Sequence, residues 1–319
     1  MDFRLTEDQR ALRKGVRELL ARLFDRAALR AAVDSPGLDR ALWRELGAAG
    51  FFSLRLPEED GGVGLGLPEA VLVFEEAGRV LLPGPVVATH LAAGVVPGAA
   101  EGAAVVTSAS EGLVPWMDEA DVVLGDVTGA VPLRSVDPLT PLHRVPGPAG
   151  AGGAGSLGRA GGAVRGAHPF RPGGPPGRSP GEERSPTTGA LLFAAEQVGS
   201  AGATTDAAVA YAREREQFGQ VIGGFQAVKH LCAGMLVRTE LARAAVWAAA
   251  VTGDPVEIAG AKMLADEAAT GNARDCLQVF GGMGFTWEAD VHLHLKRAWV
   301  RARLGMTGAR AEEVVAAAL

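Results

Sequence analysis

The sequence has few of the residues that mark several large classes of protein. Two cysteines in 319 residues exclude a disulfide scaffold. There is no CxxC pair and no Cys/His cluster, so no metal site is predicted. Cys232 and Cys276 lie in predicted helices, where we expect small buried side chains in a reducing compartment. The net charge of −6 provides no basic surface for nucleic acid.

Long apolar runs are also missing. The chain lacks a stretch of about eighteen apolar residues, which argues against a membrane span. Its first residues, MDFRLTEDQRALRK, are charged and include no apolar core of a secretory signal. We therefore expect a cytoplasmic protein.

Apolar residues at helical spacing are abundant. Hydrophobic residues make up 48% of the chain, enough for a large core. Thr6 and Gln9 form a capping box sequence before an apolar stripe, and Asp254 followed by Pro255 is typical of a helix start. Helices are predicted at 38–49, 68–79, 86–96, 190–215, 226–252, 255–280, 287–303 and 309–319, besides the one that Thr6 opens.

The middle of the chain has a different pattern. Weak alternation at 104–107, 121–125 and 129–133 predicts short strands. Residues 147–189 are rich in Gly, Pro, Ala and Arg and offer too little apolar area to offset the entropy of ordering. Two interpretations stay open: a disordered linker, or a shifted reading frame in a GC-rich gene.

These patterns predict an α+β fold that is mainly α. We expect a helical N-terminal domain at 1–102, a truncated β region with a Gly/Pro-rich linker at 103–189, and an antiparallel helical bundle at 190–319.

Two segments of the predicted bundle carry a pattern suited to a phosphate-bearing group. Tyr211–His230 reads YAREREQFGQVIGGFQAVKH and places Arg215 at a helix end. Gln278–Glu288 reads QVFGGMGFTWE and exposes backbone N–H groups at a double glycine. Each glycine break alone is compatible with an ordinary helix cap, but the joint spacing favours a cofactor site.

The two motifs resemble the C-terminal domain of the acyl-CoA dehydrogenase family, and LPEEDGGVG at 56–64 is similar to its N-terminal domain. The resemblance implies FAD as cofactor. It places Arg215 on the pyrophosphate, and the double glycine on the ADP half of an FAD held mainly by a neighbouring subunit. The implied cofactor-binding residues are Arg215, Gln217, Phe218, Ile222, Gln226, Gln278, Gly281, Gly282 and Thr307.

The same resemblance shows two departures. The flavin-contacting motif of the middle domain, of the form TEpxaGSD, is absent. Most members also carry a catalytic glutamate in a YEGT loop before the last helix, whereas this chain reads LGMT with Gly305 at that position. Other members place the base near the position of Gly189, where the nearest carboxylates are Glu182, Glu183 and Glu196. Glu196 is the candidate base, although a structural or partner-facing role is the favoured interpretation.

The string GFTWEADVHLHLKRA resembles a subgroup that acts on steroid and other bulky acyl-CoA thioesters as α2β2 pairs of unlike chains. His292 and His294 within it are two residues apart on a predicted helix, so they point in different directions and predict no metal site.

The resemblance therefore implies an FAD-dependent subunit for α,β-dehydrogenation of an acyl-CoA thioester. Such a subunit forms a homo- or hetero-oligomer with an acyl-CoA dehydrogenase paralogue and delivers electrons to an electron-transfer flavoprotein. The alternative is a non-catalytic scaffold or an inactive remnant that binds no FAD.

Overall fold

The computed structural model describes residues 4–146 and 186–319. Most of the predicted Gly/Pro-rich linker lies outside these residues. The described part is mainly helical with short strands, which confirms the predicted fold class.

The N-terminal part forms five helices. They are α1 (Glu7–Leu23), α2 (Arg26–Asp34), α3 (Arg40–Ala48), α4 (Leu67–Arg79) and α5 (Val86–Ala92). The capping box at α1 is confirmed, because the Gln9 amide donates to Thr6 Oγ1 at 3.1 Å and the Thr6 amide donates to Gln9 Oε1 at 3.0 Å. Helix α2 was not predicted. Trp43, Phe52 and Phe74 are fully buried and belong to the main core, which also includes the buried α4.

The middle region forms two small sheets. Their strands are β1 (Val106–Ser108), β2 (Leu113–Pro115), β3 (Val122–Leu124), β4 (Val131–Leu133) and β5 (Leu142–Arg144). Strands β1 and β3 pair in parallel, while β5 lies between β2 and β4 in an antiparallel sheet. The three predicted strands are present, and β2 and β5 are additions. Asp137 ties this region to the bundle through a buried ion pair with Arg297, with Nε and Oδ2 2.5 Å apart.

The C-terminal part is a helical bundle. Its helices are α6 (Pro186–Glu214), α7 (Gln226–Thr252), α8 (Pro255–Phe280), α9 (Val291–Arg301) and α10 (Gly308–Ala316). Helix α6 begins four residues before the predicted start. Asp254 caps α8 by accepting from the amides of Val256 and Glu257 at 2.8 and 2.9 Å. The buried Asn272 side chain on α8 donates to carbonyl oxygens of both α6 and α7, which fixes the three long helices against one another.

Candidate functional site

A β-hairpin follows α6 and carries the first predicted motif. Strands β6 (Glu216–Gln217) and β7 (Gln220–Val221) pair antiparallel around the two-residue loop Phe218–Gly219. Both loop residues have positive φ, 54° and 79°, which is the requirement of a type I′ turn. Because asparagine or glycine normally fills such a position, phenylalanine at 218 is unusual. Its side chain is 92% exposed.

The polar residues of this motif are available to a ligand. Arg215 is exposed, and its guanidinium has no hydrogen bond or ion pair within residues 4–146 and 186–319. Gln217 is exposed and donates only to the carbonyl of its neighbour Glu216. Gln226 begins α7, and in the described part of the chain its side chain hydrogen-bonds to His230, at 2.9 Å between Nε2 atoms. Ile222 instead packs into a hydrophobic cluster below the hairpin.

The second motif lies beside the hairpin. Helix α8 ends at Phe280, whose ring stacks on Tyr211 of α6 with centroids 4.2 Å apart and planes at 13°. Gln278 is exposed, and a Cβ at Gly281 or Gly282 would meet no other atom within 4 Å. The stack thus brings the two motifs to one end of the bundle. We call this the hairpin end, defined by residues 215–226 and 278–285.

Gly305 lies at the opposite end of α6, in a closely packed loop. Its φ is 77°, and a Cβ there would stand 2.7 Å from Phe193 Cδ2 and 2.9 Å from the Cα of Ala190. The Gly305 amide donates to Ser110 Oγ at 2.9 Å. Thr307 caps α10 by accepting from the Arg310 amide. We call this the loop end, defined by residues 190–196 and 301–307.

Glu196 is buried at the loop end and paired with Arg301. Arg301 Nε lies 2.9 Å from Glu196 Oε2, and Arg301 Nη2 donates to Glu196 Oε1 at 3.3 Å. Burial raises the pKa of Glu196, while the charge of Arg301 opposes that rise. The guanidinium also lies over the Phe193 ring, 5.3 Å from its centroid. A carboxylate held in this way is engaged in neutralising a buried cation, which favours the structural interpretation of Glu196.

The predicted site residues therefore separate into two groups. All of them except Glu196, Gly305 and Thr307 lie at the hairpin end. The Gly305 loop contacts Ala190, which lies about 36 Å along α6 from Glu214, the residue before Arg215; Glu196 lies about 27 Å from Glu214. A small cavity of about 20 Å³ lies at the loop end between Ser110, Phe193 and Arg301, with room for roughly one water molecule.

The two histidines of α9 lie in separate environments. His294 Nδ1 contacts Ser200 Oγ at 2.8 Å, and burial lowers its pKa to about 4. His292 stacks on Trp287 with ring centroids 5.0 Å apart. Within the described ranges no group of side chains has the arrangement of a metal site, and no helix there is long and apolar enough to cross a membrane.

Sequence reasoning missed two features of the loop end. Ser110 anchors the Gly305 amide from 195 residues away, and Arg301 is the partner of Glu196 from 105 residues away. Neither residue belongs to a local motif, so only the fold reveals these pairs.

Comparison with known proteins agrees with this fold. Family models of the N-terminal and C-terminal domains of acyl-CoA dehydrogenase match residues 6–102 and 187–317. The chain is 36% identical over 307 residues to acyl-CoA dehydrogenase IpdE2 of Mycobacterium tuberculosis, covering 93% of each protein. It is 33% identical over 318 residues to IpdE2 of Mycolicibacterium smegmatis, covering 94% of this chain and 95% of that one.

A solved structure shares the fold at lower identity. The ChsE4–ChsE5 complex from Mycobacterium tuberculosis matches with a TM-score of 0.78 and 22% identity, over 99% of this chain and 98% of that one. The fold, the two family models and the full-length relatives lead to one conclusion: this chain belongs to the acyl-CoA dehydrogenase family.

Proposed function

We propose that this chain is the helper subunit of an FAD-dependent acyl-CoA dehydrogenase. Its hairpin end completes a flavin site that a neighbouring subunit mainly holds, and the neighbour supplies the catalytic base. The observation that carries this proposal is the contrast between an open hairpin end and a closed loop end on the same helix. In this proposal residues 1–102, 103–189 and 190–319 are the N-terminal domain, the reduced middle region and the bundle.

The open hairpin end fits the polar half of a dinucleotide. The unpaired Arg215 guanidinium is suited to a pyrophosphate, because charge-assisted bidentate bonds to phosphate are strong and directional. Gln217, Gln226 and Gln278 offer amide donors and acceptors, and the space around Gly281 and Gly282 admits a ligand to the backbone. When bound, FAD supplies the hydride acceptor. In our proposal Ile222 lies beneath these groups as apolar support, and Thr307 contacts a different flavin from the far end.

The separation of the two ends explains why a neighbour is required. About 36 Å of helix lies between Arg215 and the Gly305 loop, so the two ends of one copy serve separate sites. A homo- or hetero-oligomer with an acyl-CoA dehydrogenase paralogue would join the hairpin end of one chain to the loop end of another. The two-component ChsE4–ChsE5 complex has the same fold and motivates the heteromeric arrangement.

The closed loop end explains why the base would come from the partner. The reaction removes a proton from the α-carbon of the CoA thioester, which requires a base within hydrogen-bond reach. Gly305 carries no side chain, and its surroundings leave no space for one. Glu196 is paired with Arg301 below the small cavity. In this reaction an electron-transfer flavoprotein would accept the electrons.

Flavin retention tests the proposal. The chain is co-expressed with a full-length acyl-CoA dehydrogenase paralogue that carries the loop glutamate, and the flavin-to-protein ratio is read from absorbance. We expect a yellow complex whose affinity for FAD falls about ten- to hundredfold in Arg215→Ala, because one or more charge-assisted contacts are lost. Arg213→Ala, at an exposed position two residues earlier, is the matched control and should retain flavin.

The alternative function, a scaffold or inactive remnant, predicts the opposite result. A scaffold or inactive remnant would bind its partner and leave the complex colourless, or would give a flavin content that Arg215→Ala does not alter. Either result would contradict the proposed flavin role of the hairpin end.

A further inference from the structure

A second cavity lies away from both ends of α6. It has a volume of about 230 Å³, is lined mainly by residues of α1, α4, α6 and α7, and opens to solvent on one side. Val198, which lines it, is about 12 Å along α6 from Ala190 and about 24 Å from Glu214. Neither the proposed flavin contacts nor the Gly305 loop contributes to this cavity, so the proposed function assigns it no role.

The floor of the cavity is apolar. Val71, Leu72, Val198 and Val246 line it, and each is at least 97% buried. The partly exposed Trp247 forms one wall. An apolar cavity of about 150 Å³ is large enough for benzene, so 230 Å³ accommodates roughly nine non-hydrogen atoms. The floor is therefore suited to a short hydrocarbon chain or a single ring.

The remaining wall carries charge, and the Arg13 guanidinium in it lacks a partner among the residues that the structure describes. Glu75 and Glu240 both pair with Arg243, with Glu75 Oε1 3.0 Å from Arg243 Nε. Arg13 on α1 also lines the cavity and is partly buried, yet its guanidinium makes no hydrogen bond or ion pair among the described residues. An arginine has five N–H donors, and partial burial removes water that would otherwise satisfy them.

We propose that this cavity binds a small amphiphilic carboxylate with a body of six to eight carbons. The apolar body would lie on the valine and leucine floor, and the carboxylate would pair with Arg13. Arg243 forms ion pairs with the carboxylates of Glu75 and Glu240. Neither carboxylate therefore occupies the position at which a ligand would pair with Arg13. Glu240 is also largely exposed, and solvent screens its charge.

The charge arrangement selects against other small ligands. An aliphatic ammonium ion would be placed beside Arg13 and would leave its donors unpaired. A neutral alcohol with the same chain would gain the apolar contacts but only a weaker hydrogen bond. Binding should therefore depend on both the negative charge and the chain.

Titration calorimetry with octanoate tests the proposal on the full chain, without flavin or CoA thioester. We expect saturable one-to-one binding, and a ten- to hundredfold weaker affinity in Arg13→Gln, because a charge-assisted pair is lost. The control Lys14→Gln changes the next residue of α1, which is exposed and does not line the cavity, and should leave affinity unchanged. Octanol should bind weakly, with equal affinity to the wild type and to Arg13→Gln.

A plug variant checks the location. Ala244 lines the cavity but is exposed, so Ala244→Phe should fill the cavity without disturbing the core. It should abolish octanoate binding while the thermal midpoint stays within a few degrees. The proposal is overturned if the wild type does not bind octanoate, or if Arg13→Gln and Ala244→Phe both bind it as the wild type does. Because flavin plays no part in the readout, this result is independent of the proposed function.

Discussion

The two ends of α6 differ in side-chain exposure, in the pairing of their arginines and in packing. At the hairpin end Phe218 is 92% exposed and Phe285 is 80% exposed, and Arg215 is without a partner in the described chain. At the loop end Arg301 is paired with a buried glutamate, and Gly305 packs against the backbone of α6. The hairpin end exposes an aromatic ring to water and holds it on a strained backbone, both of which cost free energy. The loop end is packed by contacts that stabilise the fold.

In the proposed function, this contrast is that of a subunit that keeps one half of a site and lacks the other. An exposed aromatic residue in a left-handed conformation, and an arginine without a partner in the described chain, contribute little to folding, and the proposal gives both a role toward the cofactor. A closely packed glycine and a buried ion pair have a sufficient explanation in the fold alone. Substitutions at each end test whether the two ends have these different roles.

The largest expected effect is on turnover. The isolated chain should reduce a dye acceptor at a negligible rate with any of a panel of acyl-CoA thioesters, and a paralogue that carries the loop glutamate should restore the reaction. The difference should reach about 10²–10⁴-fold, the usual contribution of a general base. Gly305→Glu in this chain should not restore activity, because the position has no room for a side chain.

Glu196→Gln provides the control for this assay. In the restored pair it should keep the rate within about tenfold of the unmodified pair, because its carboxylate is paired with Arg301 and the proposed function places the base on the partner. If the isolated chain turns over substrate and Glu196→Gln abolishes that turnover, the base belongs to this subunit. That result would contradict the proposal that the partner supplies the base.

The next effect is on stability at the loop end. Arg301→Met should lower the free energy of unfolding by about 3–5 kcal/mol, because it leaves the Glu196 carboxylate buried without its partner. The double variant Glu196→Leu with Arg301→Met should recover most of the loss, since no unpaired charge remains. Urea denaturation measures both. A loss below about 1 kcal/mol in the single variant would show that water reaches this pair.

A smaller effect compares two glycines with nearly equal φ. Gly305 has φ 77° in a crowded loop, and Gly219 has φ 79° with no atom within 4 Å of a Cβ. Alanine at either position pays about 1–2 kcal/mol for the left-handed backbone. Only Gly305→Ala also meets Phe193 and Ala190, so it should cost about 1–3 kcal/mol more than Gly219→Ala in urea denaturation. Equal losses of unfolding free energy in the two variants would mean that the Gly305 loop moves aside easily and is not tightly packed.

Local sequence pattern was sufficient for the elements that have strong local signals. The capping box at Thr6 and the Asp254–Pro255 start both lie at the first turn of a real helix, because they satisfy amides within three residues. The end of α8 at the double glycine was also predicted, and Gly281 follows its last residue. Helix α2 was missed because its alanine-rich sequence carries only a short apolar stripe.

Features that depend on distant residues were beyond the sequence. Strands β2 and β5 are as short as the predicted strands, but they form by pairing with each other across 26 intervening residues, which no local pattern marks. The resemblance places Gly305 at the position of the missing glutamate. The contacts that pack its loop come from Ser110 and from the start of α6, which the sequence does not show. Likewise, the ion pair between Glu196 and Arg301 joins residues 105 apart in the chain, so no local motif predicts it.

The smallest expected effect on stability concerns Phe218. Phe218→Asn creates the Asn-Gly pair that type I′ turns favour, and it removes an exposed aromatic side chain from a left-handed backbone position. We expect the free energy of unfolding to rise by about 0.5–1 kcal/mol, because the strain of the turn is relieved. The same variant should lower flavin retention in the complex with the paralogue, because the family resemblance implies that the residue at 218 binds the cofactor. Urea denaturation and the flavin-to-protein ratio give the two readouts, and Gln220→Ala, at an exposed position two residues on in the same hairpin, serves as the control. A variant that gains stability and retains its flavin would show that the exposed ring at 218 is not needed for cofactor binding, and it would contradict the proposed role of this side chain.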